Sequence, residues 1–176
     1  MNNIKPVIFL VPVIALIAIG VLYFYLLRKV VDKKSFRRLI FTVIIIAFLL
    51  NYIWELIQMP FYRNSFYDIR HISFCGLASI ADAIMVLLLY FGVAFVFNNP
   101  LWIQHLKWRR IIILMLTGGT GAILSEMRHL SIGSWAYAGS MPIIPVVHVG
   151  LAPVLQFMLL PLLIYGVSFY SLKMGK

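Results

Sequence analysis

Five acidic residues occur in the 176-residue chain, and three of them, Glu55, Asp82 and Glu126, fall inside or at the ends of long apolar stretches. An acidic side chain at the centre of a membrane helix costs about 2.5–3.5 kcal/mol on insertion scales, so it turns toward protein interior or a cavity and marks function. Asn51, Glu55 and Gln58 are spaced i, i+4 and i+7, which puts an acid and two amides on one helix face. Trp54 flanks that face, and Tyr62 follows just beyond Pro60. Asp82 is expected about two turns into the next stretch, at the depth of Glu55. Two carboxylates held close repel when both are charged, so the pair is expected to share a proton and to supply one acid and one base. The blander alternatives are hydrogen bonds that only hold helices together, or pairing of Asp82 with Arg70 or His71.

Glu126 and His129 form an ExxH pair, the spacing that delivers two metal ligands from one helix in di-iron bundles. A second such pair is missing. His71, His129 and His148 gather near the same end as the acids, while His105 lies toward the other. Acid–base chemistry without metal accounts for these residues better, and no metal is expected. Trp135, Tyr137 and Met141 sit in a connection rich in glycine and proline, read either as an aromatic belt or as a lid over an apolar pocket. His148 and Gln156, eight residues apart, are expected within about 80° of each other on one helix.

These residues need a scaffold, and composition dictates its kind. Hydrophobic residues make up 63% of the chain and charged ones 11%, against about a quarter charged in soluble domains. A water-soluble fold of this size has too much surface for such a composition, and disorder requires low hydrophobicity. The expectation is a single all-α domain over residues 1–176, a polytopic integral-membrane bundle of five transmembrane helices at about 6–27, 39–60, 76–97, 111–127 and 145–170. Each run can cross a hydrocarbon core of about 30 Å, and helices satisfy their own backbone there. The first run is too long for a signal-peptide core and lacks a cleavage site. Gly118, Gly119 and Gly121 read as close helix packing, since no phosphate-loop pattern surrounds them. Cys75, the one cysteine, cannot form an internal disulfide.

The net charge is +10. Eleven of the 15 basic residues lie in the first connection (Arg28, Lys29, Lys33, Lys34, Arg37, Arg38), the third (Lys107, Arg109, Arg110) and the tail (Lys173, Lys176). Lys5, Arg63, Arg70 and Arg128 are the others. This asymmetry reads as topology rather than nucleic-acid binding, with the N-terminus outside and the C-terminus cytoplasmic. A bacterial inner membrane is expected.

The string Asn51–Trp54–Glu55–Gln58–Pro60–Tyr62 resembles a pattern in small bacterial integral-membrane proteins. Five spans with acids, histidine and tryptophan near one end resemble the emopamil-binding/sterol isomerase group, whose members shift protons on a lipid double bond. The run from Trp135 onward resembles membrane lycopene cyclases and carotenoid hydratases, although the PxE[E/D] cyclase pattern is absent here. The expected function is therefore isomerisation, cyclisation or hydration of an apolar lipid or isoprenoid. Glu55, Asp82, His148 and Glu126 would be catalytic, and Asn51, Trp54, Gln58, Trp135, Tyr137 and Gln156 would bind substrate. No cofactor is expected, because no nicotinamide or flavin motif occurs. The expected partners are membrane lipids or an apolar small molecule, and a homodimer stays open. The competing expectation is a small transporter or lipid-binding protein without chemistry.

Overall fold

The computed structural model describes residues 10–174. Among these residues five helices form an all-α bundle: α1 (Leu10–Lys29), α2 (Lys33–Gln58), α3 (Ile69–Val96), α4 (Trp108–Ser131) and α5 (Leu151–Met174). Four segments, Lys33–Phe61, Ile69–Val96, Trp108–Ser131 and Leu151–Lys173, are long and apolar enough to cross a membrane. The protein is thus a multi-pass membrane protein by the length and composition of its helices. The expected start of the first helix near Pro6 lies outside the described residues, as do Lys5 and Lys176.

Helices α2, α3 and α4 are longer than hydropathy predicts, and at α2 and α3 polar caps explain why. Asp32 caps α2 by accepting from the Ser35 amide at 3.0 Å. The basic residues Lys33, Lys34, Arg37 and Arg38 therefore ride on the first turns of α2 instead of lying in a loop. Asp68 caps α3 by accepting from the His71 amide at 2.9 Å, so α3 begins at Ile69 rather than near Gly76. Asp82 then lies between three and four turns into α3, not two. α4 likewise extends on both sides of the predicted 111–127, to Trp108–Ser131.

The fifth predicted helix needs the largest correction. It begins at Leu151, not Pro145. Residues 143–150 form a hairpin of two short antiparallel strands, β1 (Ile143–Ile144) and β2 (Val149–Gly150). His148 closes its turn at φ 53° and donates its amide to the Ile144 carbonyl at 2.9 Å. A positive φ is costly for most side chains but more tolerable for His, Asn and Asp. Pro142 and Pro145 bring no amide hydrogen to a helix, and a hairpin needs fewer. Pro153 falls in the first turn of α5, where a missing N–H costs nothing.

In the bundle α2 packs against both α3 and α5, α4 packs against α5, and α1 lies along α3. The α4–α5 contact has a definite cause. Pro161 sits inside α5 and has no amide to offer the Phe157 carbonyl. Gly118 of α4 fits against that carbonyl: a Cβ built on Gly118 would lie 2.1 Å from Phe157 O. Only glycine permits this approach, and its Cα–H faces the acceptor that proline leaves free. Gly118 and Gly119 thus serve close packing, as expected, whereas a Cβ on Gly121 would meet nothing within 4 Å.

The first and third connections meet at one end of the bundle, where Lys29 bonds Asn98 and Arg110 lies over Phe97. That end is closed by buried Tyr90, Trp102 and Tyr165. Tyr165 donates to the Val86 carbonyl at 2.6 Å, Tyr90 to Pro100 at 2.7 Å, and Trp102 Nε1 to Tyr90 at 3.2 Å. Glu55 and Glu126 lie toward the opposite end, with Asp82 near the middle of α3.

Candidate functional site

The helical spacing of α2 does what its sequence predicts: Asn51 and Gln58 are buried, and Glu55 between them is half-buried. Their partner comes from α5. Gln156, 2% exposed, points its amide nitrogen at Asn51 Oδ1 (2.9 Å), Asp82 Oδ2 (3.0 Å) and Glu55 Oε1 (3.4 Å). Its oxygen accepts from Gln58 Nε2 at 3.2 Å. Gln58 Nε2 also donates to Glu55 Oε1 at 2.7 Å, and Gln58 Oε1 accepts from Trp54 Nε1 at 3.2 Å. Asn51 anchors itself by donating to the Ala47 carbonyl at 2.8 Å. Three helices, α2, α3 and α5, thus converge on one carboxamide.

Glu55 and Asp82 are brought together, since two oxygens in reach of one nitrogen are no farther apart than the two contacts combined. An amide nitrogen has only two hydrogens, yet three acceptors face that of Gln156. No lysine or arginine bonds either carboxylate among the described residues. The expected pairing of Asp82 with Arg70 or His71 is not found. His71 instead pairs with Asp68 at 2.9 Å. The His71 backbone amide, and then its ring, hold the Asp68 carboxyl below the usual carboxylate range.

A second group forms around Glu126, which is buried on α4. Its Oε2 accepts from Trp135 Nε1 at 3.2 Å and from the Tyr137 hydroxyl. His129 stacks on Trp135 with ring centroids 4.2 Å apart, and its Nδ1 lies 3.2 Å from Ser134 Oγ. The ExxH pair therefore faces the 132–150 segment. Among the described residues no three of His, Cys, Asp and Glu converge as metal ligands do.

The aromatic segment is laced to the end of α2. Ala138 N donates to Phe61 O at 2.9 Å, Arg63 N donates to Ala136 O at 2.8 Å, and Tyr62 pairs with Tyr137 as a β-bridge. Gly150 lets this segment close: a Cβ there would meet Met141 Sδ at 2.9 Å and Tyr137 Cε1 at 3.1 Å. Burial, and then the bond to Glu126, push the ionisation of the Tyr137 hydroxyl up.

Most of the predicted site residues fall into these two groups, but His148 does not. It is exposed on the hairpin turn and shares no helix with Gln156. Nor do Glu55 and Asp82 line the groove that Gln58 borders. That groove, about 260 Å³, is walled by Trp54, Ile57, Phe61, Pro142, Leu151 and Leu155, and Gln58 is its polar contact with the network. Tyr62 was visible in the sequence just beyond Pro60, but nothing in its spacing assigned it a role. Its ring lies 6.2 Å from that of Trp135 and 5.6 Å from that of Tyr137. Comparison with family models, with curated proteins and with solved structures finds no match for this chain.

Proposed function

We propose that the protein is a membrane-embedded enzyme that moves a proton on a carbon–carbon double bond of an apolar lipid or isoprenoid. The observation that carries this reading is the Gln156 amide bridging Glu55 and Asp82, with no lysine or arginine bonded to either carboxylate among the described residues. Two carboxyls in one low-dielectric site hold unequal proton affinities, and such a pair supplies an acid and a base. One carboxyl adds its proton to the double bond. The carbocation that results is stabilised by neighbouring ring faces, and the other carboxylate removes a proton from the adjacent carbon. Water attacking the same cation gives hydration, and a second double bond gives cyclisation.

The groove beside Gln58 supports an apolar substrate. Its volume is about 260 Å³, below the roughly 300–1,000 Å³ of pockets that hold drug-sized ligands. In this reading Asn51, Gln58 and Gln156 orient the acids, and Trp54 borders the chain. Glu126 holds Trp135 and Tyr137 over the site. The polypeptide crosses a bacterial inner membrane five times, α1 included, with the acid-bearing end outside and the basic end cytoplasmic. The resemblance to sterol isomerases and carotenoid hydratases agrees with this chemistry. His148 has no part in it.

Deuterium incorporation tests the reading. Membranes containing the protein are incubated in D₂O, and extracted lipids are examined by mass spectrometry. A lipid should gain carbon-bound deuterium with the wild-type protein and not with Glu55→Gln or Asp82→Asn. If no lipid gains label above membranes lacking the protein, the enzyme reading fails and transport or lipid binding takes its place.

A further inference from the structure

At the basic end several cations are held by the protein itself. Lys29 bonds Asn98 and lies over the Tyr25 ring. Arg110 bonds two carbonyls and lies over Phe97. Arg109 covers the Trp108 ring, and Lys173 covers that of Phe169. The first turns of α2 are different. Lys33, Lys34 and Arg37 are exposed there and have no side-chain partner among the described residues. Arg28 and Lys107 are unpaired as well, but only on α2 do such cations share a face.

Helical geometry puts Lys33, Lys34 and Arg37 within about 100° of one another, while Phe36, Leu39 and Val43 turn the other way into the core. Length sets their depth. α2 has 26 residues and is about 39 Å long at 1.5 Å per residue. Its apolar part, Leu39 to Gln58, accounts for about 30 Å, the thickness of the hydrocarbon core. The turns that carry the cations therefore extend into the headgroup layer. At the same end the exposed Trp108 ring is of the kind that sits at headgroup level. The placement costs the helix stability. Lys33 and Arg37 are like charges at i, i+4, and all three cations lie at the positive end of the helix dipole. The same residues in a connecting loop would orient the chain in the membrane equally well, so topology alone does not account for them.

We propose that the α2 face formed by Lys33, Lys34 and Arg37 is a docking surface for anionic phospholipid headgroups. The phosphodiester is the group recognised. The Arg37 guanidinium offers it a planar fork of N–H donors, and the two lysines offer compact charges beside it. The backbone amides of the helix end are not the donors, since Asp32 already takes the first of them, that of Ser35. A headgroup with net negative charge relieves the repulsion along the face, whereas a zwitterionic one brings its own ammonium and relieves little. The acyl chains then run down the apolar surface of α2, where Phe41, Ile44 and Ile45 are exposed. This surface is at the far end of α2 from Glu55, and it does not depend on the acid end being an enzyme.

The probes are phosphatidylglycerol and phosphatidylcholine. The full-length protein in mild detergent is titrated with each, and native mass spectrometry gives the dissociation constant of the first lipid bound. A cation near an anionic headgroup is worth about fivefold in affinity, so phosphatidylglycerol should bind the wild-type protein about tenfold or more tightly than phosphatidylcholine. Arg37→Gln should weaken phosphatidylglycerol about fivefold and leave phosphatidylcholine unchanged. Lys33→Gln, Lys34→Gln and Arg37→Gln together should bring the two lipids to within about threefold of each other. Replacing Arg63, Arg70 and Arg128 by glutamine removes as much charge from the other end and should keep the preference. Equal affinity for the two lipids in the wild-type protein overturns the proposal, as does a preference that survives the triple change on α2. Equal loss in the variant at the other end overturns it too, because net charge and not this face then attracts the lipid. Should the triple variant on α2 not fold, Arg37→Gln decides alone, and an unchanged constant there refutes the docking surface.

Discussion

Replacing Glu55 by glutamine separates a carboxyl kept for chemistry from one kept as glue. Glu55 lies within a span segment, half-buried, with no cation bonded to it. An acid at a helix centre costs about 2.5–3.5 kcal/mol on insertion scales, and Glu55, one turn from the end of α2, bears a little less, about 2 kcal/mol. Glutamine removes that cost. Its oxygen still accepts from Gln58 at the position of Oε1, and its nitrogen can donate to Asp82, with which the Glu55 carboxyl shares a hydrogen bond. The loss is the charge assistance of the two bonds at 2.7 and 3.4 Å, about 1 kcal/mol in all. Glu55→Gln should therefore raise stability by about 1 kcal/mol. Deuterium transfer should fall by about 10²–10⁴, the range for removing a general acid or base. Reversible unfolding in mixed micelles of mild and denaturing detergent reads the first quantity, and lipid labelling in D₂O reads the second. Destabilisation by more than about 1 kcal/mol, with labelling intact, would refute the reasoning and make Glu55 a structural tie.

Gln156→Leu should destabilise the same unfolding equilibrium by about 2 kcal/mol, because up to three hydrogen bonds, two donated and one accepted, are lost at about 0.6 kcal/mol each in membrane proteins; a change below about 0.5 kcal/mol would mean that the network is not formed. Gly118→Ala should cost about 3 kcal/mol or more, since its Cβ would stand 2.1 Å from a backbone oxygen, while Gly121→Ala, with nothing within 4 Å, should be neutral on the same titration. Tyr137→Phe should release the 132–150 segment from Glu126 and speed its cleavage by an added protease, leaving other sites unaffected. The lowered Asp68 carboxyl gives a pH dependence. A depressed folded value contributes stability above the unfolded value of about 3.9 and loses it as pH falls through the folded one. Amide exchange at the start of α3, corrected for intrinsic rates, should therefore quicken below about pH 4, and Asp68→Asn should lose that dependence.

The face of α2 was legible because three polar residues in an apolar helix can be satisfied on one side only, and period 3.6 fixes which. The convergence of Glu55 with Asp82 followed from the scarcity of acids in apolar sequence. Gln156 was visible as a polar residue in an apolar run, but its place at the centre was not. That role depends on how α5 rotates against α2, which the Gly118–Phe157 contact helps set. Helix ends were misjudged wherever polar caps carried the helix past the hydropathic stretch, as at Asp32 and Asp68. His148 was misplaced for the opposite reason. Residues 143–150 are apolar enough to count as helix, but Pro142, Pro145 and a left-handed His148 make a hairpin. Hydropathy cannot separate the two.

The two ends of the bundle solve the burial of polar atoms in opposite ways. At the basic end every buried aromatic donor finds a backbone carbonyl: Tyr165 on Val86, Tyr90 on Pro100, Trp102 on Tyr90. Arg110 adds bonds to Trp102 and His105 carbonyls at 3.0 and 2.8 Å. Ser168 Oγ, one turn beyond Tyr165 on α5, is the buried side-chain polar atom without a partner there among the described residues. At the acid end the acceptors outnumber the donors, because three carboxylates share the hydrogens of two glutamines, one tryptophan and one tyrosine. Such a surplus costs stability unless protons fill it, and a proton held by scarcity is one that can be given up. The imbalance would be removed by Glu55→Gln or Asp82→Asn at no loss of packing. Its presence in a chain that carries only five acids is the physical reason to place chemistry at that end.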